Sequence, residues 1–232
     1  MKEQFTVSGY NITTNPQFQN KRYGITHQLD KQLGKLAVEC QNKNNKKIID
    51  QLTQLIIQYP TVPMLKNFLS VAYNAQGNFE KAVEVNNWLL AEHPDYLFAK
   101  INQANDFINN GEFEKVPEIL GEAMEIRQLY PERDLFHISE VTIFYRLAIR
   151  YYAVINNLEL AENRMKILRE IAPHHPDTEH AEHYLFALLM KKGSERYEEE
   201  NKQRIAPKVI KSVEKLSTNN IPEFNHPEIL SL

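Results

Sequence analysis

The stretch NAQGNFEKAV at residues 74–83 recurs as NNGEFEKV at residues 109–116. Gly77 and Gly111, the glycines of these stretches, lie 34 residues apart, and a phenylalanine follows each of them two positions later. A repeat of this length corresponds to one helix-turn-helix unit, in which glycine permits the tight turn between the two helices. The sequence therefore predicts stacked helical pairs, because one pair cannot bury its apolar face alone.

The residues around the first of these turns follow a pattern of large, aromatic and small side chains. In chain order the pattern consists of Leu69, Tyr73, Gly77, Phe79, Ala82, Leu89 and Pro94. Leu69 and Tyr73 share one face of the first helix, since they are four residues apart. Ala82 lets the second helix approach closely, and Pro94 ends the unit. This pattern resembles the tetratricopeptide repeat family, and the resemblance implies an all-α, right-handed superhelical solenoid of antiparallel helix pairs.

The second copy departs from the pattern after its turn. It contains Ala104, Phe107, Gly111, Phe113 and Ala123. Val116 stands where the small alanine is expected, and Pro117 follows it directly. Proline is tolerated in the first turn of a helix, so we expect the second helix to start near Pro117 and to run about one turn longer than usual.

Two further segments complete the repeat region. The third copy contains Tyr145, Ala148, Tyr152, Asn156, Leu158, Ala161, Met165, Leu168 and Pro173. Asn156 replaces the turn glycine, and asparagine tolerates the left-handed conformation best after glycine. A degenerate copy upstream, over residues 29–61, contains Leu36, Ile48, Leu52, Leu55 and Pro60, with a polar turn over residues 41–47.

The remaining segments complete the predicted domain organisation. Residues 1–28 form an N-terminal extension, residues 29–192 the helical repeats, residues 193–217 a charged capping helix, and residues 218–232 a linker or tail. Gly193 is expected to end the last repeat helix, and Pro207 to interrupt the cap. The apolar end of the tail is consistent with a further domain beyond it.

The composition agrees with this fold and narrows the classes of partner. Of 232 residues, 42% are hydrophobic and only 7 are glycine, which favours helices over a turn-rich β architecture. The net charge of −3 gives no overall attraction to nucleic acid or to an anionic membrane. No signal peptide or membrane span is recognisable, so we expect a cytoplasmic protein. We predict that Cys40, the single cysteine, is a small buried side chain.

The resemblance also implies where a partner would bind. In tetratricopeptide proteins the first helix of each unit lines an inner groove, and a protein or peptide partner commonly binds there. Among the positions that correspond to this groove, which also include Asn109, the polar residues predicted to bind the partner are Asn67, Asn74, Asn102, Asn105, Arg146 and Arg150. Amides can hydrogen-bond an extended backbone, and guanidinium groups can hold carboxylates in bidentate fashion. We therefore expect a protein-interaction scaffold.

The groove positions also invite comparison with the carboxylate-clamp subgroup of the family, which holds acidic C-termini. Asn102, Arg146 and Arg150 match that subgroup. Asn67 stands where it usually has lysine, and Val71 where it has asparagine. Three interpretations therefore stay open: a clamp, a looser polar groove for peptides, and an ordinary solvated surface.

A histidine-rich stretch is the only part of the sequence that suggests a metal-binding site. Its histidines are His174, His175, His180 and His183. The last two are three residues apart and share a helix face, but this spacing does not match metalloprotease motifs. We predict no metal, no cofactor and no catalytic residues. A regulatory or targeting arm of a larger protein is the alternative function, and a metal-dependent hydrolase a more distant one.

Overall fold

The computed structural model of the chain describes the backbone of residues 4–7, 9–17 and 19–217 and the side chains of residues 9–17 and 19–200. The described chain is predominantly helical, as the sequence predicts. Its α-helices are α1 His27–Glu39, α2 Lys47–Gln58, α3 Pro63–Ala75, α4 Phe79–Glu92, α5 Leu97–Asn110, α6 Val116–Leu120, α7 Ile126–Leu129, α8 Ile138–Val154, α9 Leu158–Ile171 and α10 Pro176–Ser217. The chain divides into two compact units, Met1–Leu188 and Leu189–Leu232.

The turns between paired helices adopt the conformation that the repeat pattern predicts. Gly77, between α3 and α4, has a φ of +78°, and Gly111, at the end of α5, has a φ of +77°. Asn156, which replaces glycine between α8 and α9, has a φ of +62°. Glycine adopts this left-handed backbone without steric cost, and asparagine does so more readily than most other residues. The predicted turn is therefore confirmed in each of these three copies.

The degenerate first copy consists of α1 and α2. Its apolar positions Leu36, Ile48 and Leu52 are buried, and the polar stretch after Cys40 forms the connection between the helices. Cys40 is only 2% exposed. Burial raises the pKa of its thiol to about 11, because the charged thiolate loses its hydration. The cysteine is therefore the small buried side chain that the sequence predicts.

Close packing of α3 against α4 depends on the small residue at position 82. Ala82 is 8% exposed, and the Ser70 hydroxyl of α3 donates a hydrogen bond of 2.9 Å to the Ala82 carbonyl. A hydroxyl can reach the backbone of the neighbouring helix only where no large side chain intervenes. Contacts between consecutive helices then continue from α2 through α5, and α8 contacts α9 in the same way.

The second helix of the middle copy differs from its prediction. We expected one long helix from about Pro117, but α6 ends after five residues at Gly121, which has a φ of +84° and a ψ of +150°. A single 3₁₀ turn, Phe113–Lys115, precedes α6, and the four-residue helix α7 follows after an irregular connection. The predicted long helix is therefore wrong, because the backbone of Gly121 is far from helical values.

Distant side chains stabilise this irregular connection. Arg164 of α9 donates hydrogen bonds to the carbonyls of Ala123, over 2.6 Å, and Met124, over 3.2 Å. The same guanidinium forms an ion pair of 3.0 Å with Glu125, which accepts a hydrogen bond of 2.7 Å from the Tyr145 hydroxyl. Carbonyls that a continuous helix would have paired thus find another donor. The sequence of the connection itself does not indicate that an arginine of α9 would contact it.

A small sheet is present where only helices were expected. Its strands are β1 Gln4–Val7, β2 Tyr10–Thr13 and β3 Leu135–His137. The first two pair in antiparallel fashion, and β2 pairs in parallel with β3, so that Ile12 lies opposite Phe136. Both of these side chains are fully buried. The structure thus adds three short strands to a predominantly helical chain, and the N-terminal segment contributes Tyr10 and Ile12 to the core.

The C-terminal helix is longer than predicted. Gly193 does not end a helix, because α10 continues from Pro176 to Ser217 and also includes Pro207. Glycine costs only about 1 kcal/mol relative to alanine inside a helix, so a glycine alone does not terminate one. The side chains of the predicted capping helix from residue 201 onward, and the predicted tail at residues 218–232, lie outside the described residues.

Two glycine substitutions test the role of the repeat turns. We expect Gly111→Ala to lower the free energy of unfolding by about 1–2 kcal/mol, because alanine is strained in left-handed backbone. No atom of the described neighbouring residues lies within 4 Å of the added methyl group, so the effect isolates the backbone cost. Gly34→Ala, within α1, should instead raise stability by about 0.5–1 kcal/mol. Urea denaturation of both variants measures this difference, and equal effects would contradict the assignment.

Candidate functional site

A polar groove lies along the helices that the repeat pattern predicts as the first of each unit. It has a volume of about 220 Å³ and is lined mainly by α3, α5 and α8, with contributions from α4 and α10. Its lining residues are Ser70, Val71, Asn74, Phe79, Ala82, Asn102, Asn105, Asp106, Asn109, Arg146, Leu147, Arg150 and Tyr184. Five of the six predicted groove residues are therefore brought together by the fold, and Asn67 is the exception.

Helical spacing explains how α5 presents so many polar groups to the groove. Asn102 and Asp106 are four residues apart, as are Asn105 and Asn109. Residues at this spacing lie one above the other on a helix surface, so the four side chains form two adjacent rows. We refer to Asn102 and Asp106 as the first row of α5, and to Asn105 and Asn109 as the second row.

Asn67 lies behind the groove and supports it. Its Oδ1 accepts a hydrogen bond of 3.0 Å from Nδ2 of Asn102, and the side chain is 8% exposed. The same Asn102 nitrogen donates over 3.2 Å to Oδ1 of Asn86, which is 2% exposed. Asn86 in turn donates over 3.0 Å to the carbonyl of Ala99. This amide network joins α3, α4 and α5 and holds the Asn102 side chain in place.

Arg150 is the central cation of the groove. Its Nη1 donates to Oδ1 of Asn105 over 2.5 Å, and its Nη2 donates to Oδ1 of Asn109 over 2.6 Å. The guanidinium also lies 6.0 Å from the ring centroid of Tyr184. No carboxylate of the described residues forms an ion pair with it, and a guanidinium has further N–H donors beyond these two contacts. Neutral amides therefore orient Arg150 and leave its charge uncompensated.

Arg146 differs from Arg150 because it already has a counterion. It forms an ion pair of 3.1 Å with Asp177, at the start of α10. Asp177 also accepts a hydrogen bond of 2.7 Å from the Thr142 hydroxyl. Asp177 lies within the histidine-rich stretch, and nothing local in the sequence indicates its contact with α8. The two arginines thus have different electrostatic roles.

Asp106 is a groove residue that the sequence analysis missed. Its carboxylate is partly buried and, across the part of the chain with described side chains, forms no hydrogen bond or ion pair. Burial raises its pKa above the usual value for aspartate, because the charged form loses hydration without gaining a partner. One signal was available: Asp106 follows Asn102 by four residues and therefore shares its face of α5.

The histidine-rich stretch is not assembled into a metal site. His174, His180 and His183 are exposed, and Nδ1 of His175 lies 3.5 Å from the Asp177 carboxylate. The described residues contain no group of three or more histidine, cysteine, aspartate or glutamate side chains that could hold a metal ion.

The fold and the groove together define a predominantly helical protein with an amide-rich polar groove, in which one arginine and one aspartate have no counterion among the residues whose side chains are described. Comparison of the chain with models of known protein families, with curated proteins and with solved structures found no match. Across the part of the chain that the structure describes, no helix has both the length and the apolar character needed to cross a bilayer.

Substitution of two neighbouring asparagines tests the amide network. We expect Asn86→Ala to lower the free energy of unfolding by about 1–3 kcal/mol, because it leaves a buried carbonyl and an Asn102 N–H group without their partner. Asn87→Ala, at an exposed position of the same helix, should change stability by less than about 0.5 kcal/mol. Chemical denaturation compares the two, and similar losses would show that the network contributes nothing specific.

Proposed function

We propose that this chain is a protein-interaction module of the tetratricopeptide type, which binds an extended peptide segment of a partner protein in the groove. In this proposal the helix pairs stack as an antiparallel, right-handed solenoid. The left-handed turns at Gly77, Gly111 and Asn156 support it, as do the contacts between consecutive helices. Each of these features is expected when helical pairs are stacked in sequence order.

The observation that carries the proposal is the state of Arg150. Its guanidinium is held by two asparagine oxygens, has no carboxylate partner in the described residues and faces a groove. A cation fixed in this way is ready to bind an acidic group, because its orientation is already determined before the partner arrives. The ligand's acidic group would supply the counterion that the fold itself does not.

The amides beside Arg150 favour a peptide over a small acid. Asn105 and Asn109 use their oxygens to hold the arginine, so their Nδ2 groups remain available as donors. Asn102 uses Nδ2 in the amide network, so its Oδ1 remains available as an acceptor. An extended backbone presents both carbonyl acceptors and N–H donors, and can satisfy both kinds of amide group without regard to side-chain sequence.

The binding site that we propose is a looser polar groove rather than a carboxylate clamp. A clamp of two arginines would need both guanidinium groups to be available, but Arg146 is already paired with Asp177. Asn67, at the usual lysine position of the clamp subgroup, is buried in the amide network. Recognition would therefore rest on one cation and several neutral amides.

A display library of random linear peptides tests the proposal. The native chain should enrich a family of peptides, and Arg150→Gln should weaken their binding about 10- to 100-fold, because a hydrogen bond to a charged group is lost. Arg169→Gln serves as the matched control, since Arg169 lies outside the groove and pairs with Glu182 at an exposed position. It should bind the enriched peptides like the native chain.

Two results would overturn the proposal. One is the absence of any enriched peptide family from the native chain. The other is equal binding of the enriched peptides by the native chain and by Arg150→Gln, which would place their site outside the groove. Circular dichroism of each variant verifies that loss of binding does not come from loss of folding.

A further inference from the structure

The hydrogen-bond acceptors and donors that α5 presents to the groove lie in two different rows. In the first row, the Asp106 carboxylate and the Oδ1 atom of Asn102 accept no hydrogen bond from the described residues. In the second row, Asn105 and Asn109 present Nδ2 donors next to the guanidinium of Arg150. One side of the groove is thus rich in acceptors and carries a negative charge, while the other is rich in donors and carries a positive charge.

Within the described part of the chain, Asp106 has no counterion of its own. Arg146 and Arg150 line the same groove, but neither comes within the 4.0 Å of an ion pair with it. Arg146 is committed to Asp177, and Arg150 is held by the second row of α5. A carboxylate that loses hydration without such a partner is costly, and a cation supplied by a ligand would offset that cost.

We propose that Asp106 selects partner segments that carry a lysine or arginine side chain, with Asn102 Oδ1 as a second acceptor for the same side chain. The ligand would then be an extended peptide with a basic residue at the first row of α5 and an acidic residue at Arg150. This inference rests on the proposed peptide-binding function and adds its charge specificity.

The chemistry of the first row suits an organic cation rather than a metal ion. One carboxylate and one amide oxygen form a small ligand set, and the described residues contain no group of three or more side chains suited to a metal. A lysine ammonium carries three N–H donors and an arginine guanidinium five, so either can bond Asp106 and Asn102 together. Four-residue spacing places these two acceptors next to each other on the helix surface.

The first test sequences the peptides that a random linear library yields on three proteins: the native chain, Asp106→Asn and the control Asp50→Asn. Asp50 is an exposed aspartate of α2 outside the groove. The native chain and the control should enrich peptides with a basic residue at a constant distance from an acidic one. Asp106→Asn should lose the preference for the basic residue and keep the preference for the acidic one.

A second test measures the pairing directly with one enriched peptide and its variant in which glutamine replaces the basic residue. On the native chain the glutamine peptide should bind about five- to tenfold more weakly, whereas on Asp106→Asn the two peptides should bind equally. Such a double-mutant cycle isolates the interaction between the two side chains. If the native chain binds both peptides equally, the inference is overturned, even when Asp106→Asn does not fold.

The two proposals fail in different ways. Peptides that need Arg150 but show no basic preference would overturn the role of Asp106 and leave the peptide-binding groove intact. A basic preference that persists in Asp106→Asn would have the same meaning. The absence of any peptide that depends on Arg150 would overturn both.

Discussion

The side-chain amide of Asn102 is bound on two sides, by Asn67 of α3 and by Asn86 of α4. Asn86 extends the connection to the backbone of α5 through Ala99. Three consecutive helices are therefore tied at one buried point, and a hydrogen-bonded amide network tolerates only a small range of relative positions because each unpaired buried group is costly. The apolar core supplies most of the stabilising area, but this network restricts how the helices can be placed against one another.

The groove inherits its chemistry from that arrangement. Asn102 faces the cavity with an acceptor because both of its donors are engaged behind it. Asn105 and Asn109 face it with donors because their oxygens are engaged by Arg150. Identical residue types on one helix thus acquire opposite hydrogen-bonding roles from their neighbours. One row of α5 therefore presents acceptors beside the negative charge of Asp106. The other row presents donors beside the positive charge of Arg150.

The regular parts of the molecule depend on interactions between residues that are close in sequence. The irregular parts depend on residues that are far apart in sequence. Local backbone conformation explains the turns at Gly77, Gly111 and Asn156. Close approach of the adjacent helix explains the small residue at Ala82. Both kinds of feature could be predicted from spacing. The connection after α6 depends on Arg164, about 40 positions further along the chain. The pairing of β2 with β3 likewise joins distant segments, so neither feature has a local signal.

The sequence by itself determined that the chain is predominantly helical with left-handed turns at Gly77, Gly111 and Asn156, and it identified most of the polar residues that share the groove. Helical periodicity is sufficient for this because residues four apart must lie on one face. Only the tertiary structure decided which of those residues remain available to a ligand. It buried Asn67, paired Arg146 with Asp177, and left Arg150 and Asp106 without counterions among the described side chains. Whether a charge is compensated depends on side chains that come from other helices, and their distances are set by packing rather than by spacing along the chain.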